Sequence, residues 1–288
     1  MGSGIFSGIF LPVTIAIITL GLGLSITFQN LRNILVNPRG ITVGLMSQLI
    51  LLPVIAFSIA FVTGLKSEWA VGLVLIASCP GGATSNLVNF MIRNNVALSL
   101  SITVVNGLIT IFTIPLLTQF SLEVFLHKDA MIRLSFLDSV YKIFILTVLP
   151  ATTGILVRRY REKLAIKLEE PLRYILPLIL LMVFSGVVFL KGGDGEINIQ
   201  GYLYIIPYAL ALNILSMFAG LYTPRLAGLV KRDQVTIAVE VGLQNSTLAI
   251  FVAGALLDNF TIAMVAVVYG SFSFFTTWGF GYFAKKYL

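Results

Sequence analysis

Apolar residues run along this chain in long stretches, separated by short connections that carry most of the charge. Nine stretches can be marked, near residues 6–27, 41–62, 69–92, 96–119, 139–157, 172–190, 202–222, 235–257 and 260–283. Each is close to the ~20 residues with which a helix crosses hydrocarbon. None shows the ten-residue alternation of a membrane β-strand, so the pattern predicts an all-α polytopic membrane protein with nine transmembrane helices. Residues 5–25 have no basic region before them and no A-x-A-like site after, and read as a retained helix rather than a cleaved signal.

Polar residues interrupt these stretches in a pattern. Span 3 carries Cys79-Pro80-Gly81-Gly82-Ala83-Thr84-Ser85-Asn86, and span 8 carries Glu240-Val241-Gly242-Leu243-Gln244-Asn245-Ser246-Thr247. Proline and paired glycines loosen the first, and Gly242 loosens the second less strongly. Spans 3 and 8 are five apart, so they cross in opposite senses. Gln48 in span 2 and Asn213 in span 7 repeat the relation, 165 positions apart against 160 for Ser85 and Asn245. This is the signature of an inverted-topology repeat with a broken helix in each half, which points to a midplane transport site. Spans 1–4 pair with 6–9, and the unpaired span 5 fits a ten-helix ancestor whose first helix is missing. Any one such residue is as well explained by helix-to-helix hydrogen bonding; the paired set is not.

Composition narrows the function classes. Of 288 residues 11% are charged and 58% hydrophobic, with a mean hydropathy of +0.98, too little charge to cover a water-facing surface. One cysteine, Cys79, and one histidine, His127, build neither a disulfide framework nor a zinc site, and the lone histidine argues against an enzyme. The net charge of +7 suggests no nucleic acid once its distribution is seen. Fourteen Lys and Arg, including Arg32, Arg39, Arg93, the run Arg158–Lys163, Lys231, Arg232, Lys285 and Lys286, fall on one set of sides. Only four, Lys66, Lys128, Arg133 and Lys191, fall on the other. The positive-inside bias places the C-terminus in the cytoplasm and, after nine crossings, the N-terminus outside, as in a plasma membrane or a bacterial inner membrane.

Of the twelve acids only Glu240 lies within a span. A carboxylate at that depth costs about 2.5 kcal/mol or more unless it is paired, protonated or bound to a cation. Lys142, the one basic residue inside a span, can snorkel outward toward Asp138. Gln244 lies one turn from Glu240, and Gln48, Ser85, Asn86, Ser99 and Thr103 offer neutral oxygens. One carboxylate among neutral oxygens suits Na⁺, with a proton as the competitor.

The segments Pro80–Asn86, Asn95-Val96-Ala97-Leu98-Ser99 and Glu240–Ser246 together resemble the bile acid:sodium symporter family, in its nine-helix form. The resemblance implies sodium-coupled import of an organic acid anion, bile-acid-like, pantoate-like or another carboxylate or sulfonate, by alternating access. It implies a panel of helices 1, 5 and 6 (residues 1–34 and 136–195) and a core of helices 2–4 and 7–9 (residues 35–135 and 196–288). Two coupling Na⁺ ions are implied. The first would be held by Ser85, Asn86, Ser99, Thr103 and Glu240, the second by Gln48, Glu240, Gln244 and the carbonyls of Val241 and Leu243. Asn245, Asn86 and Asn213 would contact substrate. A proton-coupled transporter using Glu240, or a relative of arsenite exporters using Cys79, are the alternatives. Phe6, Trp69, Tyr202, Tyr204, Trp278 and Tyr282 read as interfacial anchors, with Trp278 deeper, and Leu122–Leu137 as a short interfacial helix.

Overall fold

The computed structural model describes residues 6–27, 29, 38–126, 135–190 and 199–287, and among these every regular element is helical. A backbone in hydrocarbon must satisfy its own N–H and C=O groups, and a helix does so within one segment. Helix α1 is Leu11–Ser25; α2 is Pro38–Thr63; α3 has two halves, α3a (Ser67–Ser78) and α3b (Ala83–Met91); α4 is Val96–Leu126; α5 is Phe136–Tyr160. Then come α6 (Glu162–Leu190), α7 (Ile199–Leu226), α8a (Lys231–Gly242), α8b (Ser246–Phe251, continued by Val252–Leu256) and α9 (Phe260–Tyr287). Seven spans among the described residues are long and apolar enough to cross a membrane, and the bent α3a–α3b pair makes eight. In α6 many side chains lie outside the described set.

Three helices contain a wide π turn just upstream of a proline: Phe6–Phe10 before Pro12, Ser47–Leu51 before Pro53, and Phe144–Val148 before Pro150. Proline has no N–H to give and its ring collides with the carbonyl one turn back; the wider turn relieves both.

Helices α1, α5 and α6 pack on one another. A β-carbon on Gly23 would lie 2.1 Å from the Ala151 carbonyl oxygen, and one on Gly154 2.5 Å from that of Leu20, so α1 and α5 meet backbone to backbone. The other group places α3a between α4 and α9, and α7 against α8a and α9. The α8 span is 94% buried against 11% for α5, so α8 is enclosed by protein while α5 presents most of its surface outward.

Both broken helices end alike. Arg93 after α3b and Asp258 after α8b adopt left-handed φ values of 55° and 48°. An asparagine cap follows each: Asn95 accepts from the Leu98 N–H at 3.2 Å, and Asn259 from the Ile262 N–H at 3.0 Å. Each cap also donates across to the first turn of the other broken helix, Asn95 to Asp233 and Asn259 to Glu68, both at 2.7 Å.

Several expectations change. Helix α4 runs on through Leu126, so Leu122–Leu126 extend a span instead of opening an interfacial helix. Trp278 is 42% exposed, not packed inside, and Trp69 is buried edge-on against Tyr204. One expectation holds: Lys142 reaches outward to Asp138 at 2.7 Å, both half-exposed. Arg32, His127, Lys128, Arg133 and Lys191 lie outside the described residues, as do the expected boundaries at 34/35 and 195/196.

Candidate functional site

The two breaks meet. Helix α3 bends by 60° across Cys79–Gly82, and α8 loses its helix over 243–245. Between them the Asn245 N–H donates to the Pro80 carbonyl at 2.9 Å, so unwound backbone satisfies unwound backbone inside the protein. Residue 81 has to be glycine here: a β-carbon would sit 2.5 Å from Glu240 Oε2, 3.2 Å from Gln48 Nε2 and 3.3 Å from Ser85 Oγ.

Glu240 lies fully buried in the last turn of α8a. Three hydroxyls surround its carboxylate: Ser85 donates to Oε1 at 3.0 Å, Ser99 donates to the same oxygen, and Thr103 donates to Oε2 at 3.1 Å. Each hydroxyl also has another acceptor within reach. Ser85 reaches the Gly82 carbonyl at 2.7 Å, Ser99 reaches Asn86 Oδ1 at 2.7 Å, and Thr103 reaches the Ser99 carbonyl at 3.0 Å. A hydroxyl has one proton and two lone pairs. Turning the three protons to these alternatives leaves three oxygen lone pairs beside one carboxylate, the donor set of a hard monovalent cation. Asn86 completes the ring, its amide donating to Thr103 at 3.3 Å and to Gly82 at 3.2 Å. The five residues expected to form one cluster therefore come together.

The second expected group lies on the main-chain side of the same turn. Gln48 donates to the Glu240 carbonyl at 2.9 Å, reaching the backbone rather than the carboxylate. Gln244 donates to the Val241 carbonyl at 2.8 Å, and its own Oε1 is buried without a hydrogen-bond partner. Leu243 is extended, at φ −120° and ψ 111°. An acceptor left unpaired in a core costs about 1–3 kcal/mol, and Gln244 Oε1 is thus free to take a ligand.

Asn245 is half-buried and caps α8b, accepting from the Leu248 N–H at 3.1 Å. Asn213 departs from its expected place at a substrate cavity. It is fully buried, donates to the Gly242 carbonyl at 2.7 Å and accepts from Thr276 at 2.6 Å. Tyr269 and Thr277 donate to the same carbonyl, at 2.8 and 3.2 Å, so Asn213 braces the α8 break from behind. Asn86, also buried, is committed to the ring around Glu240.

Two residues escape a reading of the spans alone. Asn106 donates to Gln48 Oε1 at 2.6 Å and keeps a buried, unpartnered Oδ1. Asn89 donates to Ser99 at 3.0 Å and accepts from Asn94 at 3.2 Å. Helical spacing contained both signals: Ser99, Thr103, Asn106 and Thr110 form one stripe, and Asn89 lies one turn beyond Ser85.

Fold and site together define a polytopic membrane protein with a fully buried carboxylate, that of Glu240, where two broken helices meet. The chain belongs to the sodium bile acid symporter family, whose model matches residues 12–198. An uncharacterized sodium-dependent transporter of Bacillus subtilis, YocS, is 28% identical over 85% of this chain and 74% of its own length. The probable chloroplastic sodium/metabolite cotransporter BASS1 of Arabidopsis thaliana is 29% identical over 84% of this chain and 58% of its own. A sodium-dependent organic anion transporter of mouse is 27% identical over 83% of this chain and 62% of its own. The chain thus spans less than two thirds of the plant and mouse relatives.

Proposed function

We propose that this protein is a symporter that imports an organic acid anion by alternating access, driven by sodium. The observation that carries the reading is the buried Glu240 carboxylate, ringed by three hydroxyls that each have a second place for their proton. Ser85, Asn86, Ser99, Thr103 and Glu240 hold one Na⁺. Gln48, Glu240, Gln244 and the carbonyls of Val241 and Leu243 hold a second, at which the free Gln244 Oε1 is the natural ligand. The relatives' description as sodium-dependent transporters agrees.

An inverted repeat over nine spans is supported by matched positions. Gln48 and Asn213, Lys66 and Lys231, Glu68 and Asp233, and Arg93 and Asp258 are each 165 apart, and the reciprocal asparagine clasps relate the same two halves. The mutual packing of α1, α5 and α6 supports a panel of residues 1–34 and 136–195 moving against a core of 35–135 and 196–288. The distribution of Lys and Arg supports a cytoplasmic C-terminus in a plasma or bacterial inner membrane. Sodium sets the geometry of the breaks, and substrate enters beside Asn245, where the N-terminal ends of α3b and α8b offer N–H groups to a carboxylate or sulfonate. Coupling follows if sodium binds one state of the core better than the other.

The test is a thermal-shift screen of carboxylates and sulfonates, then uptake into proteoliposomes at fixed pH with sodium, potassium or choline. Sodium-specific stabilisation and uptake are expected. Binding and uptake indifferent to that exchange, or driven by a proton gradient alone, would overturn the reading.

A further inference from the structure

Away from the breaks, the ends of α3b, α8a and α9 border an open cleft of about 460 Å³ lined by Arg93, Asn94, Lys231, Arg232, Val235 and Lys285. Four of these six are cations, and among the described residues no carboxylate lines the space. The nearest acid on α8a, Asp233, is buried and takes the Asn95 amide. No ion pair joins any of the four cations to an acid among the described residues. Two are aimed by the backbone: Arg232 donates to the Asn94 carbonyl at 2.9 Å, and Lys285 donates to the carbonyls of Ile92 and Arg93. Arg93 itself holds a left-handed φ of 55°, a strained setting for a residue with a β-carbon. Four like charges gathered from three helices repel one another unless an anion lies among them.

We infer that this cleft binds the phosphate group of an anion at the membrane surface. Several cations converging from different directions match an anion with several charged oxygens better than a single carboxylate. The volume falls within the ~300–1,000 Å³ common for small-ligand sites. Exposed Trp278 and Tyr282, stacked 6.5 Å apart on α9 just before Lys285, mark the depth of lipid headgroups, where basic pockets between helices take anionic lipid. Because Arg93 follows α3b while Lys231 and Arg232 open α8a, the ligand ties together the two broken helices that carry the Glu240 ring.

The test uses the full chain in phosphatidylcholine nanodiscs. One arm adds dioleoylphosphatidylglycerol to the discs; the other adds inorganic phosphate, with chloride at equal ionic strength as the control. Melting temperature against probe concentration gives the affinity. A rise above control is expected in at least one arm, and Lys231→Gln or Lys285→Gln should each weaken it about fivefold. Lys163→Gln, which removes the same charge from an exposed position elsewhere, should leave it unchanged. A response to the lipid alone assigns a headgroup, and a response to phosphate assigns a soluble anion. No response in either arm, or equal weakening by Lys163→Gln, would overturn the inference.

Discussion

Replacing Gly81 with alanine adds one methyl group at the most crowded point of the site. The new β-carbon would lie 2.5 Å from Glu240 Oε2, where ordinary contact begins at 3.4 Å, so carboxylate and backbone must part by about 0.9 Å. Neither side yields easily. The carboxylate is held by Ser85, Ser99 and Thr103, and the backbone is tied through Pro80 to Asn245. Overpacking of this kind costs about 1–3 kcal/mol, and each hydroxyl bond to a charged group that opens costs about 1.5–3 kcal/mol. Sodium affinity should therefore fall about 10- to 100-fold, with a loss of stability small enough for the protein to be purified. Gly82→Ala is the matched control, because its β-carbon would meet nothing nearer than 3.8 Å. Sodium titrations followed by melting temperature, with monodispersity checked by size exclusion, separate the two variants. Gly81→Ala with wild-type sodium dependence, or Gly82→Ala equally impaired, would refute the geometry.

Glu240→Gln keeps the shape and removes the charge, so sodium-stimulated uptake should vanish while the protein still folds; retained sodium stimulation would remove the carboxylate from the coupling site. Asn106→Ala leaves Gln48 Oε1 without its donor, at about 1–3 kcal/mol, which a lowered melting temperature should record. Asn95→Ala and Asn259→Ala each remove a helix cap and a clasp, and each should cost about 1 kcal/mol or more, by similar amounts in thermal unfolding. Single cysteines at Lys285 and Lys66 should react with a membrane-impermeant thiol reagent from opposite faces, over a low background because Cys79 is buried.

The long spans and the two interruptions are legible from hydropathy because lipid leaves few ways to place a polar group. The Glu240 ring is legible because a lone carboxylate in oil demands partners and the hydroxyls at helical spacing supply them. Asn213 is a different case. An amide in a span marks only that something is hydrogen-bonded there, and whether it faces a cavity or braces a carbonyl depends on the approach of α9, which no local pattern contains. Trp69 and Trp278 exchange their expected roles for the same reason: burial is set by the neighbouring helix, Tyr204 of α7 in the first case, and not by nearness to a span end. The end of α4 is misplaced because its last turns carry polar residues such as Gln119 and Glu123, which bond to each other at 3.0 Å on the helix surface.

The reciprocal asparagine clasps bear on how such a chain is made. Glu68 emerges from the ribosome 191 residues ahead of Asn259, the residue that will hold it, whereas Asp233 finds Asn95 already in place. During synthesis the earlier segment therefore waits with its latch open while the later one arrives to a finished catch. Closure of the pair waits for Asn259, the cap that opens α9, and a product truncated before it would leave Glu68 without that bond.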